Sequence, residues 1–218
     1  PCQTSYKIFI AVIILQYLGS AKDVVIPETI EGKPVTKIYP GAFSNRGLTS
    51  VTIPNSVTQI AQRAFMNNKL QKVHIPSGVT EIGSMAFAKN SLKELHIPAN
   101  VKKIEVFAFE INKLTKVTFD EGVQYIGSAA FSDNKLTAVT LPASLQTLGG
   151  NAFGGNEILS FTFKGPIELE EDSVGLMVVL DGEFVGWYTD QAFKNKWNGK
   201  ITGPTTIYSK WKLKEIAK

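Results

Sequence analysis

The stretch LQKVHIPSGVTEIGSMAFAKNS, residues 70–91, sets the pattern of most of this 218-residue chain. Its apolar residues recur every 22 positions on both sides, and an Ala-Phe pair lies near the end of every unit. The consensus L-x-x-V-x-I-P-x-x-V-x-x-I-x-x-x-A-F-x-x-N-x holds over five units without an insertion or deletion. A fixed period of this length predicts a solenoid, in which each coil buries its apolar side against its neighbours.

Each unit contains one short strand followed by turns. In the segment L-x-x-V-x-I, apolar and polar residues alternate, which predicts a strand with one buried face. A proline follows this strand in four units, where its missing N–H stops the ladder. The asparagine two residues before the next leucine suits a tight turn or a buried polar ladder. We expect the phenylalanines of the Ala-Phe pairs to form an aromatic spine in the core.

The repeat resembles the BspA-type leucine-rich repeat of bacterial and some protist cell surfaces. The resemblance begins at YLGSAKDVVIPETIEGKPVTKIYPGAF, residues 17–43, which is similar to the family's opening unit with its longer I-x-G-K-P-V loop. It implies a leucine-rich repeat solenoid over residues 1–165, with an opening unit at 8–47 and repeats at 48–165. It also implies a non-enzymatic, cell-surface or secreted bacterial protein that acts in adhesion by binding a host or matrix protein, or a surface glycan.

The segment KIFIAVIIL, residues 7–15, permits two interpretations. A charge followed by a short apolar run is typical of a signal peptide, whereas richness in Ile and Val predicts a strand. The family resemblance places a strand here, and we favour the strand. The run is too short to span a bilayer, so we expect no membrane insertion within this chain. Because the chain begins with Pro1, we also expect it to be a fragment or a processed form.

The period fails after Phe163, and residues 166–218 differ in character. A linker rich in Gly, Pro and acidic residues precedes a stretch that holds all three tryptophans, Trp187, Trp197 and Trp211. The pattern G-W-Y-T-D … I-T-G-x-T-T-I-Y-x-K-W resembles the end of the Listeria–Bacteroides repeat, a small β-rich module. We expect this module to dock on the last coil and cap its apolar end. Its tryptophans form either the module's core or a surface that binds carbohydrate or another partner.

The sequence shows no recognisable catalytic or nucleotide-binding motif. Glu170, Glu171 and Asp172 lie in the linker, without the apolar pocket that a catalytic carboxyl pair needs. Cys2 is the only cysteine, which excludes an internal disulfide and a multi-cysteine zinc site. We therefore expect no enzyme, no cofactor and no metal. The net charge is +4 without a block of five like charges, so we expect no nucleic-acid partner.

The two histidines, His74 and His96, occupy the same repeat position. If the valine and isoleucine of V-x-I point inward, the residue between them points outward. Equivalent residues of stacked coils lie roughly 4.8 Å apart. A shared metal, an acid–base pair and a surface ladder flanked by threonines are all consistent with this spacing. The column offers no third metal ligand, so we favour the ladder.

The outward positions of the strand vary, whereas the core positions are nearly constant. Both a diversified recognition surface and unconstrained solvent-facing positions produce this pattern. Three lysines give the face a positive bias that would steer an acidic partner. The predicted partner-binding residues are Gln71, Lys72, His74, Lys93, Glu94, His96, Thr115, Lys116 and Thr118. The alternatives are a structural spacer that presents other domains and a glycan-binding accessory module that uses the tryptophans.

Overall fold

The computed structural model describes residues 11–169, 182–189, 192, 194–198 and 201–213. In this part of the chain the backbone winds into about seven stacked coils of about 22 residues, with strands and no helix. The predicted β-rich solenoid is confirmed. The strands, in chain order, are β1 (Val12–Ile14), β2 (Asp23–Val25), β3 (Thr29–Ile30), β4 (Lys33–Ile38), β5 (Ser50–Thr52), β6 (Gln59–Ile60), β7 (Glu81–Ile82), β8 (Glu94–Ile97), β9 (Lys103–Ile104), β10 (Lys116–Phe119), β11 (Tyr125–Ile126), β12 (Ala138–Leu141), β13 (Thr147–Leu148), β14 (Ser160–Phe163), β15 (Glu168–Leu169), β16 (Gly182–Tyr188) and β17 (Thr205–Leu213).

One side of the stack is a continuous sheet in the order β1-β4-β6-β7-β9-β11-β13-β15, to which β3 adds an antiparallel pair with β4. Its repeat strands are the last two residues of the V-x-x-I segments. Glu81 and Ile82, for example, lie beside Gln59 and Ile60. The apolar member of each pair is fully buried. Alternation over two residues is too short to indicate a strand, which is why the sequence pattern did not predict this sheet.

The strands predicted in the L-x-x-V-x-I segments lie on another side of the coils and form shorter ladders. β2 pairs with β5, β8 with β10, and β12 with β14, all in parallel. The prediction is wrong for the coil that begins at Leu70, because residues 70–80 contain no strand. Alternation determines which side chains are buried, but not the spacing between coils that ladder hydrogen bonds require. A hydrogen bond from the Lys93 N–H to the Gln71 carbonyl, 3.3 Å long, still joins this coil to the next.

The Ala-Phe turns form the third side of each coil and bond in the direction of the following coil. The Phe65 N–H donates to the Ala86 carbonyl, and the Phe87 N–H donates to the Ala108 carbonyl, both at 2.8 Å. Two positions in each turn have positive φ, the residue before the alanine and the residue before the asparagine, whose place Arg46 takes in the first coil. They are Gly41, Arg63, Met85, Phe107, Ala129 and Asn151 at the first position, and Asn45, Asn67, Lys89, Ile111, Asp133 and Gly155 at the second.

The predicted aromatic spine is confirmed. Neighbouring rings are stacked with centroids 5.1–5.4 Å apart and interplanar angles of 3–26°. Offset stacking of this kind contributes about 0.5–1.5 kcal/mol per pair beyond the burial of apolar area. The spine consists of Tyr17, Phe43, Phe65, Phe87, Phe109, Phe131 and Phe153.

The asparagine column forms a buried polar ladder, one of the two structures that suited its position. The Asn112 amide donates to the carbonyls of Phe87, at 3.0 Å, and Phe109, at 3.1 Å. Its side-chain oxygen accepts the Leu92 N–H at 3.0 Å. The side chain therefore links two coils and satisfies backbone groups that no sheet reaches. The ladder consists of Asn68, Asn90, Asn112, Asn134 and Asn156.

Both ends of the stack carry additional strands. At the first coil, β1 pairs in parallel with β4, which confirms the favoured strand for residues 12–14. At the last coil, β17 pairs antiparallel with β14 and β16 pairs antiparallel with β17. Ile201 and Ile207 are buried in the same apolar core as the repeats. The C-terminal strands thus extend the ladder and cover the last coil.

Candidate binding face

The candidate site lies on the side of the coils that carries β5, β8 and β10. Along β8 the burial alternates, with Leu95 and Ile97 buried and Glu94 and His96 exposed. The same alternation in β10 buries Val117 and exposes Lys116 and Thr118. Period-two alternation on strands one coil apart places the polar side chains side by side on one surface.

A groove of about 550 Å³ crosses three successive coils on this face. It contains eight of the nine predicted binding residues, which are Gln71, Lys72, His74, Lys93, Glu94, His96, Lys116 and Thr118. Thr115, the ninth, does not line the groove. Its hydroxyl donates to the Lys93 carbonyl at 3.3 Å and so joins two coils at the exposed surface. Val73 and Leu95, which the periodicity assigned to the core alone, also contribute to the lining.

The groove coincides with the coil that lacks a strand. Residues 70–80 lie between β5 and β8 without a ladder to either, so the parallel sheet of this face is interrupted there. The same face is also unpaired between β10 and β12. The groove begins at the first of these two gaps and extends over the paired strands β8 and β10.

His96 bonds to the next coil. Its Nδ1 lies 3.1 Å from the Thr118 hydroxyl, and its Nε2 lies 3.2 Å from a carboxylate oxygen of Asp120. All three side chains are on the exposed surface. These contacts fix the orientation of the imidazole ring at one wall of the groove. His74 and His96 line the same groove, as equivalent positions in successive coils should.

Sequence reasoning missed Asp120, although a signal was present. Asp120 occupies the position that is proline in four other coils, 22 residues after Pro98. Its N–H donates to the Ile97 carbonyl at 3.0 Å, a bond that proline cannot make. The departure from proline therefore extends the ladder and places a carboxylate beside His96.

The groove carries an excess of positive charge. Lys72, Lys93 and Lys116 line it together with a single carboxylate, that of Glu94. Lys72, Glu94 and Lys116 occupy one column, yet among the described residues no ion pair joins any of them. The lysine ammonium groups are therefore available to an incoming ligand.

Asp23 marks the N-terminal end of the same face. Its carboxylate accepts hydrogen bonds from the hydroxyls of Thr49, at 2.8 Å, and Ser50, at 2.7 Å. These hydrogen bonds lower the pKa of Asp23, and the bond from Ser50 has the larger effect. Its carboxylate thus joins the first two coils of this face at the exposed surface.

The three C-terminal tryptophans lie at different places in the tail. Trp187 lies in β16 and Trp211 in β17, whereas Trp197 is half-buried and packs against the core of the array. The packing of Trp197 supports the interpretation of this residue as core. The acidic residues 170–172 lie outside the described part of the chain.

The described residues contain no group of three or more His, Cys, Asp or Glu side chains placed to hold a metal. No helix in the same part of the chain is long and apolar enough to cross a membrane.

Stacked coils of about 22 residues with this consensus define a leucine-rich repeat solenoid. The model of the BspA type leucine rich repeat region matches six copies over residues 36–160. The chain belongs to this family. The match does not reach the tail, whose resemblance to the Listeria–Bacteroides repeat remains a prediction. A search of curated proteins gave no match.

Solved structures of bacterial proteins are similar to this chain. The pneumococcal vaccine antigen PcpA is 27% identical with a TM-score of 0.55, over 76% of this chain and 44% of that one. A leucine rich cell surface protein from Faecalibacterium prausnitzii is 26% identical with a TM-score of 0.48, over 69% of this chain and 50% of that one. The chain therefore spans about half the length of these relatives or less.

Proposed function

We propose that this protein is a non-enzymatic, cell-surface or secreted bacterial protein that binds a protein partner through the exposed face of its solenoid, in an adhesive role. The observation that carries the proposal is the groove over three coils, lined by Gln71, Lys72, His74, Lys93, Glu94, His96, Lys116 and Thr118. Membership of the BspA-type family and the likeness to the pneumococcal antigen support the placement at the bacterial surface.

The physical basis is a rigid scaffold with a variable surface. Buried leucines, phenylalanines and asparagines fix the coils, so the outward residues can differ from coil to coil without loss of the fold. A preorganised face loses little conformational entropy when a partner binds. The groove adds a concavity to this face, and concave sites bury more of a ligand.

The test blocks the face without changing its charge. In a Cys2→Ser background, Gln71→Cys is coupled to a maleimide carrying a poly(ethylene glycol) chain, which covers the groove. Thr80→Cys is the matched control, because Thr80 is exposed in the same coil but immediately precedes β7 of the continuous sheet. Binding to an immobilised extracellular-matrix extract and to cultured cells is measured by biolayer interferometry and by adhesion assay.

We expect the polymer at position 71 to abolish binding and the polymer at position 80 to leave it within about twofold. Treating the extract with protease should also remove binding, as the partner is a protein. Equal binding by the two conjugates would exclude this face as the site. Binding that resists protease but disappears with glycosidase treatment would favour the glycan-binding alternative, and the absence of any binding would favour the structural spacer.

A further inference from the structure

The charges of the groove limit what the partner can present. Lys72, Lys93 and Lys116 outnumber the one carboxylate of Glu94, and Asp120 is already in contact with His96. A partner with its own cations at this site would bring like charges together, which disfavours association. Carboxylates, in contrast, would gain both steering and direct pairing.

The spacing of the lysines suits an elongated ligand that lies along the stack. Lys72 and Lys116 occupy one column two coils apart, and Lys93 lies on the coil between them. Coils repeat at roughly 4.8 Å, so the outer two lysines are roughly 10 Å apart along the stack. An extended peptide advances about 3.3 Å per residue and its alternate side chains share one face, so carboxylates four residues apart, about 13 Å, lie within reach of the flexible side chains of the outer two lysines.

The rest of the lining favours a peptide over a saccharide. Val73 and Leu95 line the groove with small exposed fractions of 7% and 4%, and no phenylalanine, tyrosine or tryptophan side chain lines it. An aliphatic side chain gains free energy on such a surface by losing contact with water. A sulfated glycan would satisfy the lysines but has no aliphatic side chain to place against Val73 and Leu95.

We propose that the groove recognises an extended acidic peptide segment of the partner, in which two carboxylates four residues apart and the aliphatic side chain midway between them lie on one face. This inference rests on the proposed function of the face. The lysines hold the carboxylates, and the aliphatic residue lies against Val73 and Leu95.

The experiment uses the full chain and defined probes. Fluorescent peptides carry acidic, aliphatic and acidic residues at every second position, with serines between them, so that all three side chains share one face. They are compared by anisotropy with two matched sets: one has amides in place of the acids, and the other has serines in place of the aliphatic residues. A heparin oligosaccharide serves as the anionic glycan probe. Each probe is titrated into the wild type and into two triple variants with the same change in net charge.

The groove variant is Lys72→Glu, Lys93→Glu and Lys116→Glu. The control variant is Arg63→Glu, Lys89→Glu and Lys102→Glu, whose three side chains are exposed and lie outside the groove. Circular dichroism shows whether each variant keeps the fold.

We expect the acidic-aliphatic peptides to bind the wild type at least tenfold more tightly than either matched set. The groove variant should lose at least tenfold in affinity and the control less than about threefold. Raising the ionic strength from about 0.15 M to about 1 M should weaken the interaction, because the Debye length falls from about 8 Å to about 3 Å.

Three outcomes would overturn the inference. They are equal binding of the acidic and amide peptides, unchanged peptide affinity in the groove variant, and displacement of the peptides by heparin that itself binds more tightly. If the polymer at position 71 still blocks the matrix partner in any of these cases, the face keeps its proposed function and only the acidic-peptide specificity is wrong.

Discussion

The buried asparagine ladder allows the cost of one side chain to be calculated from its contacts. In Asn112→Ala, the Leu92 N–H loses its acceptor, and the carbonyls of Phe87 and Phe109 each lose one of two amide donors. Each carbonyl keeps a donor from a neighbouring asparagine of the ladder. The Asn112 amide also donates to the Glu110 carbonyl at 3.4 Å, and this carbonyl keeps the Lys89 N–H as a donor. The change therefore leaves one backbone donor without a partner and weakens three acceptors.

The expected loss of stability is about 3 kcal/mol. A buried N–H without an acceptor costs about 1–3 kcal/mol, and each lost hydrogen bond to a carbonyl adds about 0.5–1.5 kcal/mol. The expected loss lies near the lower end of the sum of these contributions, because the carbonyls keep other donors and the coil can relax. Coils contact only their neighbours, so the loss weakens the interfaces on both sides of this coil.

The assay is urea unfolding followed by far-ultraviolet circular dichroism, which reports the whole array. Asn55→Ala is the matched control, because Asn55 is exposed in the turn after β5, and we expect it to change stability by less than about 0.5 kcal/mol. Asn112→Asp keeps the acceptor but sets a carboxylate against two carbonyls, so it should destabilise at neutral pH at least as much as alanine. If Asn112→Ala lowers the free energy of unfolding by less than about 1 kcal/mol, the conclusion that this side chain stabilises the contact between two coils is wrong.

Two further changes test the backbone and the electrostatics of the Ala-Phe turns. Ile111 is 44% exposed with φ of 52°, a region that costs β-branched residues free energy, whereas asparagine tolerates it. Ile111→Asn should therefore raise the free energy of unfolding by about 0.5–1 kcal/mol in urea denaturation, and a decrease would contradict the strain. Burial of the Glu110 carboxyl, and to a smaller extent the negative charge of Asp133, raises the pKa of Glu110. The protonated form is therefore more favoured in the folded state than in the unfolded chain. The wild type should therefore lose stability as the pH rises through the raised pKa of Glu110. Glu110→Gln should raise the thermal midpoint at neutral pH but should not raise it at a pH below the ordinary carboxyl pKa. An equal gain in the thermal midpoint at both pH values would exclude the electrostatic cause.

Much of the fold follows from the sequence, because the period and the burial pattern are local properties of each unit. Leu70, Val73 and Ile75 are buried as their columns predict, although residues 70–80 form no strand. The aromatic spine follows for the same reason, since a phenylalanine repeated at constant spacing must stack on its equivalent once the coils stack. The continuous sheet was not predicted, because each of its repeat strands is only two residues long.

The candidate site was predicted as a set of outward positions, and its shape depends on contacts between coils. Periodicity places His74, His96 and the three lysines on one face, because equivalent residues of stacked coils must be neighbours. It does not indicate that the ladder is interrupted at residues 70–80, that His96 contacts Asp120 from the next coil, or that β17 pairs with β14. These features depend on the distances and angles between coils and on the docking of a segment that lies outside the repeat. The sequence by itself determined the coil, its core and the direction of each side chain; only the tertiary structure decided where the face opens into a groove, because that depends on the packing of one coil against the next.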